Sequence, residues 1–271
     1  MRLPARRELP PPLPPETRTV GQLVAEAIRL YGERFWPALA LGLGPAVLDA
    51  AVRPLPGPVQ IAVAASGGAV LMTASFVGAC VIASRERPTR RVLGNGFVAG
   101  FLVWPPAALL PLVFALSGNT WVALLGLALP SLAWLAYVGL AVPAAVIERL
   151  DFRHALGRGI ELGRADFVHA LGSLATLVIA YVLSRGVLFF LLRGTAKTEL
   201  GVAAFLADLV ISPTIFLGSA ILYFDQAARL DKLRSPTERS ADADLRPADD
   251  ADGSGSPDAE VEPRAAAGGK P

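Results

Sequence analysis

The sequence predicts an all-α, polytopic integral membrane protein, with six transmembrane helices and cytoplasmic interfacial amphipathic helices. Three features point to it. Of 271 residues, 53% are hydrophobic and 18% charged, against about 25% charged in an ordinary soluble domain. Mean hydropathy is +0.50. Apolar segments recur at 35–52, 58–84, 93–117, 120–147, 167–192 and 200–227, and roughly 20 such residues cross a hydrocarbon core of ~30 Å.

The domain organisation follows from composition. Residues 1–18 are basic and proline-rich, with Pro10, Pro11, Pro12, Pro14 and Pro15, and read as a disordered tail with nothing apolar to bury. No apolar stretch of the kind found in a cleavable signal peptide follows the early arginines. Residues 19–230 form the membrane domain. Residues 231–271 hold 6 basic and 10 acidic residues and no aromatic side chain, which reads as a disordered acidic tail.

Within the membrane domain, Thr19 and Gln22 are spaced for a capping box at the start of a helix. Leu23, Val24, Ala27, Ile28 and Tyr31 then share one face, as in a helix lying in the headgroup layer. Segment 35–52 is the weakest span, being short and holding Pro37, Pro45 and Asp49. Small residues along segment 58–84 (Ala62, Ala65, Ser66, Gly67, Gly68, Ala69, Thr73, Gly78) suit a central helix approached closely by neighbours. Pro105, Pro106, Pro111, Pro130 and Pro213 predict kinks, since each lacks a backbone donor. Between the fourth and fifth spans, Asp151 is placed to cap an amphipathic helix. Its apolar face carries Phe152, Leu156, Ile160 and Phe167, and Arg153, Arg158, Glu161 and Arg164 lie off that face.

Orientation follows from basic residues. Twenty-one fall in the termini and the second and fourth connections, against Arg53, Arg193 and Lys197 on the other side. The positive-inside rule therefore puts both termini in the cytoplasm, in the cytoplasmic membrane of a bacterium; 22 arginines against 3 lysines, with abundant Ala, Gly and Pro, fit a high-GC genome.

Few chemistries survive this reading. The lone Cys80 excludes an internal disulfide and a thiolate cluster. His154 and His169 lack metal-ligand spacing. There is no Gly-x-Ser-x-Gly elbow and no phosphate-binding loop. Gly96/Gly100 and Gly159/Gly163 are no more Gly-x-x-x-Gly pairs than 26 glycines produce by chance. Neither a catalytic residue, nor a cofactor, nor a nucleic-acid partner is expected.

The candidate site residues are the ionisable ones inside apolar segments: Asp49, Arg185 and Asp208. A charge at the bilayer centre costs roughly 2.5–3.5 kcal/mol on insertion scales. Asp49 lies near the outer end of its segment, where it reaches water. Arg185 and Asp208 sit at matched depth, about 10–12 Å below the outer ends of adjacent helices at 1.5 Å per residue. Asp208 shares a polar stripe with Gly201, Ser212, Ser219 and Gln226. Arg185 falls off the polar face of its helix, beside Tyr181. Three readings stay open: a structural Arg185–Asp208 pair, an Arg185 that snorkels outward, or a transport or ligand role.

The string VPAAVIERLDFRHALGRGIELGRADFVHALG (142–172) resembles the membrane domain found with, or fused to, glycerophosphoryl diester phosphodiesterases, and related six-helix bacterial membrane proteins of unknown function. The likeness is carried by Pro143, Glu148, Ala155, Leu156, Arg158, Leu162, Arg164 and Phe167. AIRLYGERFWPALAL (27–41) and LYFDQAARL (222–230) are similar to that family's opening and closing elements. The chain departs from it at Gly159, where Ser is common, and at Ala165-Asp166, where an aromatic is common. No phosphodiesterase catalytic domain lies in this sequence, so the resemblance implies a membrane module without catalysis. The expected partners are the lipid bilayer and a membrane or cytoplasmic protein. The alternative is a small transporter or transporter subunit, to which proline-broken helices and buried charges also point.

Overall fold

The computed structural model describes residues 14–115, 120–192 and 197–233. Among them every regular element is helical: a 3₁₀ turn at Pro15–Thr17, then α1 (Val20–Glu33), α2 (Phe35–Leu41), α3 (Leu43–Val52), α4 (Gly57–Ser84), α5 (Arg90–Ala115), α6 (Thr120–Val138), α7 (Ala141–Ile147), α8 (Phe152–Ala165), α9 (Phe167–Leu191) and α10 (Lys197–Leu233). Among the described residues, five stretches are long and apolar enough to cross a membrane: Phe35–Val52, Ala62–Ser84, Leu129–Ile147, Phe167–Leu191 and Glu199–Leu233. This is the architecture of an all-α, multi-pass membrane protein.

The capping box at α1 forms as its spacing predicts. The Thr19 N–H donates to Gln22 Oε1 at 2.8 Å, and the Gln22 N–H to Thr19 Oγ1 at 3.4 Å. Leu23, Ala27 and Leu30 bury against α9 and α10, and Ile28 points out at 56% exposure. The disorder expected through residue 18 does not hold for its last residues. Pro15–Thr17 is ordered, and Arg18 is buried with its guanidinium 2.6 Å from Asp225. Residues 1–13 and 234–271 lie outside the described residues, as does most of the fifth connection (193–196).

Helices α5, α6 and α10 run on through Pro105, Pro106, Pro111, Pro130 and Pro213. The breaks fall at Gly42, between α2 and α3, and at Gly139-Leu140, between α6 and α7. Each lies just before a proline: Pro45 removes the helical partner of the Leu41 carbonyl, and Pro143 that of Gly139, whose carbonyl accepts instead from the Val142 N–H at 3.3 Å. Neighbouring helices cover carbonyls that prolines free. Ser75 donates to Leu41 O at 2.7 Å, and Ser131 to Ala107 O, four residues before Pro111, at 2.8 Å. Gly42 lies against the Leu209 carbonyl, four before Pro213; a Cβ there would fall 2.0 Å from that oxygen.

Helix α10 touches α1, α2, α3, α4, α8 and α9 and forms the axis of the bundle. The small-residue helix α4 is central over only half its length. Gly68, Ala69 and Thr73 are buried, but Ala62 and Ser66 face outward. Both glycine pairs serve contacts within the chain. A Cβ at Gly100 would meet Thr73 at 2.5 Å, and one at Gly159 the Ala141 backbone at 2.4 Å. That second contact corrects the expected face of α8. Ala155, Gly159, Leu162 and Gly163 are buried, and Phe152, Leu156 and Ile160 stay at the rim, because only the glycine face allows this approach. Asp151 occupies the N-cap of α8 without a capping bond and pairs with the His154 ring instead. The unforeseen cap is Asp166 on α9, accepting from the His169 N–H at 3.0 Å.

Candidate functional site

All three candidate ionisable residues meet. Asp49 is on α3, Arg185 on α9 and Asp208 on α10, and the Arg185 guanidinium bridges the two carboxylates. Its Nη1 donates to Asp208 Oδ1 at 2.8 Å and Oδ2 at 3.1 Å, and its Nη2 to Asp49 Oδ1 at 2.9 Å. The Tyr181 hydroxyl, one turn before Arg185, donates to Asp208 Oδ1 at 2.6 Å and accepts from Arg185 Nη1 at 2.8 Å. Arg53, one turn after Asp49, closes the chain with a bond to Asp49 Oδ2. Asp49 is tied to two guanidiniums and keeps 27% of its side chain exposed.

Burial is uneven along this chain. The Asp208 side chain is 1% exposed, that of Arg185 33% and that of Asp49 27%. Two carboxylates and two guanidiniums make the cluster neutral, and charge-assisted bonds of this kind are about twice as strong as neutral ones. The neutral grouping lets three helices carry charges that none could bury singly.

Beside the cluster lies a cavity of about 280 Å³, bounded by Met72, Phe76, Leu135, Leu174, Val178 and Phe216 among others. Its few polar contributors are Tyr181, Trp104, Ser212 and Ser219. The two serine hydroxyls bond back to Asp208 O and Ile215 O on their own helix, so they offer little to a polar occupant. Neither Asp208 nor Arg185 lines this space. The volume is nearly twice that of the ~150 Å³ apolar cavity known to stay dry and accept benzene.

The opposite end of the bundle holds a second polar group that sequence reasoning did not single out. Arg158 reaches Glu148 at 3.0 Å and Glu161 at 2.9 Å, and the Tyr223 hydroxyl donates to Glu148. Burial alone would pull the Arg158 guanidinium down; the Glu148 and Glu161 bonds outweigh it and leave the group above its usual range. At the N-cap of α8, the hydrogen bond from His154 holds the Asp151 carboxyl below its ordinary value. Nearby, Asp225 is fully buried against Arg18, and Arg229 bonds Asp166 Oδ2 at 2.7 Å and the Arg18 carbonyl at 3.1 Å. Asp225 Oδ2 lies 3.9 Å from His169 Nε2.

These residues were legible in part. Gln226, on the predicted polar stripe of α10, is fully buried and donates to the Asp166 carbonyl at 3.1 Å. Asp225 beside it gives no such signal, because it follows an aromatic run at what reads as a solvated helix end. Among the described residues, no group of three or more His, Cys, Asp or Glu side chains converges as a metal site. Comparison of the chain with protein-family models, with curated proteins and with solved structures finds no match.

Proposed function

We propose that the chain is a six-span bacterial cytoplasmic-membrane protein, with both termini cytoplasmic, that works as a non-catalytic, lipid-proximal accessory or scaffold for another protein. The observation that carries this is the closed bonding of Asp49, Arg185 and Asp208 beside an apolar cavity. Charges so occupied with one another hold helices together and leave no acceptor aimed at a passing solute. The sixth span is α5, whose 26 residues extend about 39 Å at 1.5 Å each. The likeness to the phosphodiesterase-associated membrane family gains support from the meeting of Glu148, Arg158 and Tyr223, which belong to two of the strings that carry it.

The transporter reading keeps one favourable observation: Tyr181 and Ser212 touch both Asp208 and the cavity. Proteoliposomes loaded with a pH-sensitive dye separate the two. Under imposed proton and sodium gradients, the accessory reading expects leak equal to that of protein-free vesicles. Flux that disappears in Asp208→Asn would replace it with the transporter.

A further inference from the structure

A second hollow, of about 330 Å³, lies at the other side of the ionic cluster, walled by Arg53, Arg185, Leu188, Phe189, Leu200 and Ala204. The cluster is neutral as a whole but polarised toward this space. Both guanidiniums line it and neither carboxylate does, since Asp208 is turned inward at 1% exposure and Asp49 lies between the two arginines. Glu199, the acidic residue in the first turn of α10, borders a neighbouring hollow with Leu192, Val202 and Leu206. Gly201 keeps room beside Arg53: a Cβ there would come within 3.1 Å of Nη1.

From this geometry we infer that the hollow is a binding site for an anionic glycerophospholipid, with its phosphate on Arg53 and Arg185 and an acyl chain against Leu188, Phe189, Leu200 and Ala204. Arg53, at the C-cap of α3, stands at the end of its span. Arg185, on α9, is held beside it, since both guanidiniums bond the Asp49 carboxylate. Two adjacent cations against an apolar wall match a headgroup joined to its chain. They match a free anion poorly, because that anion would leave water for a wall of four apolar side chains. With the orientation proposed above, on which this inference rests, the lipid comes from the outer leaflet.

The test is native mass spectrometry of the detergent-purified full chain, titrated with phosphatidylglycerol, with phosphatidylcholine and with inorganic phosphate. Preferential retention of phosphatidylglycerol is expected. Arg53→Gln should weaken it about ten-fold, the ~1.4 kcal/mol of one charge-assisted bond. Ala204→Phe, which fills the hollow without altering charge, should weaken both lipids. Arg91→Gln, at the opposite end of the bundle, should change neither. Equal retention of the two lipids, or retention untouched by both Arg53→Gln and Ala204→Phe, overturns the site. Competition by inorganic phosphate at concentrations that leave the lipid micelles unchanged overturns the choice of a lipid. Asp208-dependent flux in the dye experiment would remove the accessory reading and leave this result standing; equal lipid retention does the reverse.

Discussion

The Ser75 hydroxyl of α4 donates to the Leu41 carbonyl oxygen at 2.7 Å, and Leu41 is the residue whose helical partner Pro45 removes. The bond is buried and joins the first span to the second at the point where the first span breaks. A broken transmembrane helix must have its loose carbonyl answered from within the protein, since hydrocarbon offers no donor.

Ser75→Ala should therefore lower stability by about 1 kcal/mol, the net worth of a buried hydrogen bond. In a Pro45→Ala background the regained N–H at position 45 answers Leu41 from within the helix, and the same change should cost less. Thermal unfolding in detergent of the two singles and the double reads this coupling. Equal costs in both backgrounds would show that Ser75 acts through packing alone.

For the ionic cluster, each single change strands a charge. Arg185→Leu leaves Asp208 buried with only Tyr181 as partner, and Asp208→Leu leaves Arg185 with Asp49. Breaking a buried pair from one side costs about 3–5 kcal/mol, and replacing both partners is often near neutral. The double Arg185→Leu/Asp208→Leu should be more stable than Arg185→Leu alone, because Asp49 keeps Arg53. A neutral Arg185→Leu would mean that the guanidinium snorkels in the bilayer.

Two glycines of α8 should respond in opposite directions. Gly159→Ala puts a Cβ within 2.4 Å of the Ala141 nitrogen, whereas Gly157→Ala meets nothing within 4 Å. The first should cost 2 kcal/mol or more, in the manner of an overpacked core. The second should stabilise by roughly 0.5–1 kcal/mol through helix propensity. Unfolding midpoints of the two variants in one detergent give the comparison.

Truncation should distinguish the two ends of the N-terminal segment. Removing residues 1–13 should leave stability nearly unchanged. Removing 1–18, or making Arg18→Ala, strands the fully buried Asp225 and should cost about 3 kcal/mol. Fluorescence-detected gel filtration after heating reports both, and equal behaviour would mean that Asp225 finds another partner.

The proposed orientation is tested by cysteine labelling in a Cys80→Ala background. Pro88→Cys should react only after permeabilisation and Ala196→Cys in intact cells. The reverse pattern overturns the assignment built on the basic residues.

Composition and the period of apolar residues were enough for the helical class, for five membrane-length stretches among the described residues and for the Thr19–Gln22 cap, because these depend on local propensity and on hydrocarbon thickness. Matched depth along α9 and α10 was enough to anticipate Arg185 with Asp208. Linear distance carries the bridge to Asp49 poorly: 136 positions separate it from Arg185, and its contact depends on how α3 packs against α10.

The same division runs through the whole chain. A hydrophobic stretch and the Thr19–Gln22 capping box act through their immediate surroundings, so they can be read residue by residue. Which prolines break their helices, which face of α8 turns inward, and that Arg18 reaches Asp225 across 207 positions depend on partners distant in the chain. Those partners are a serine opposite a freed carbonyl, a glycine opposite a backbone and a carboxylate opposite a guanidinium. Such pairings exist only once the helices have packed, because a buried polar group keeps its place when its bond is made in the folded bundle.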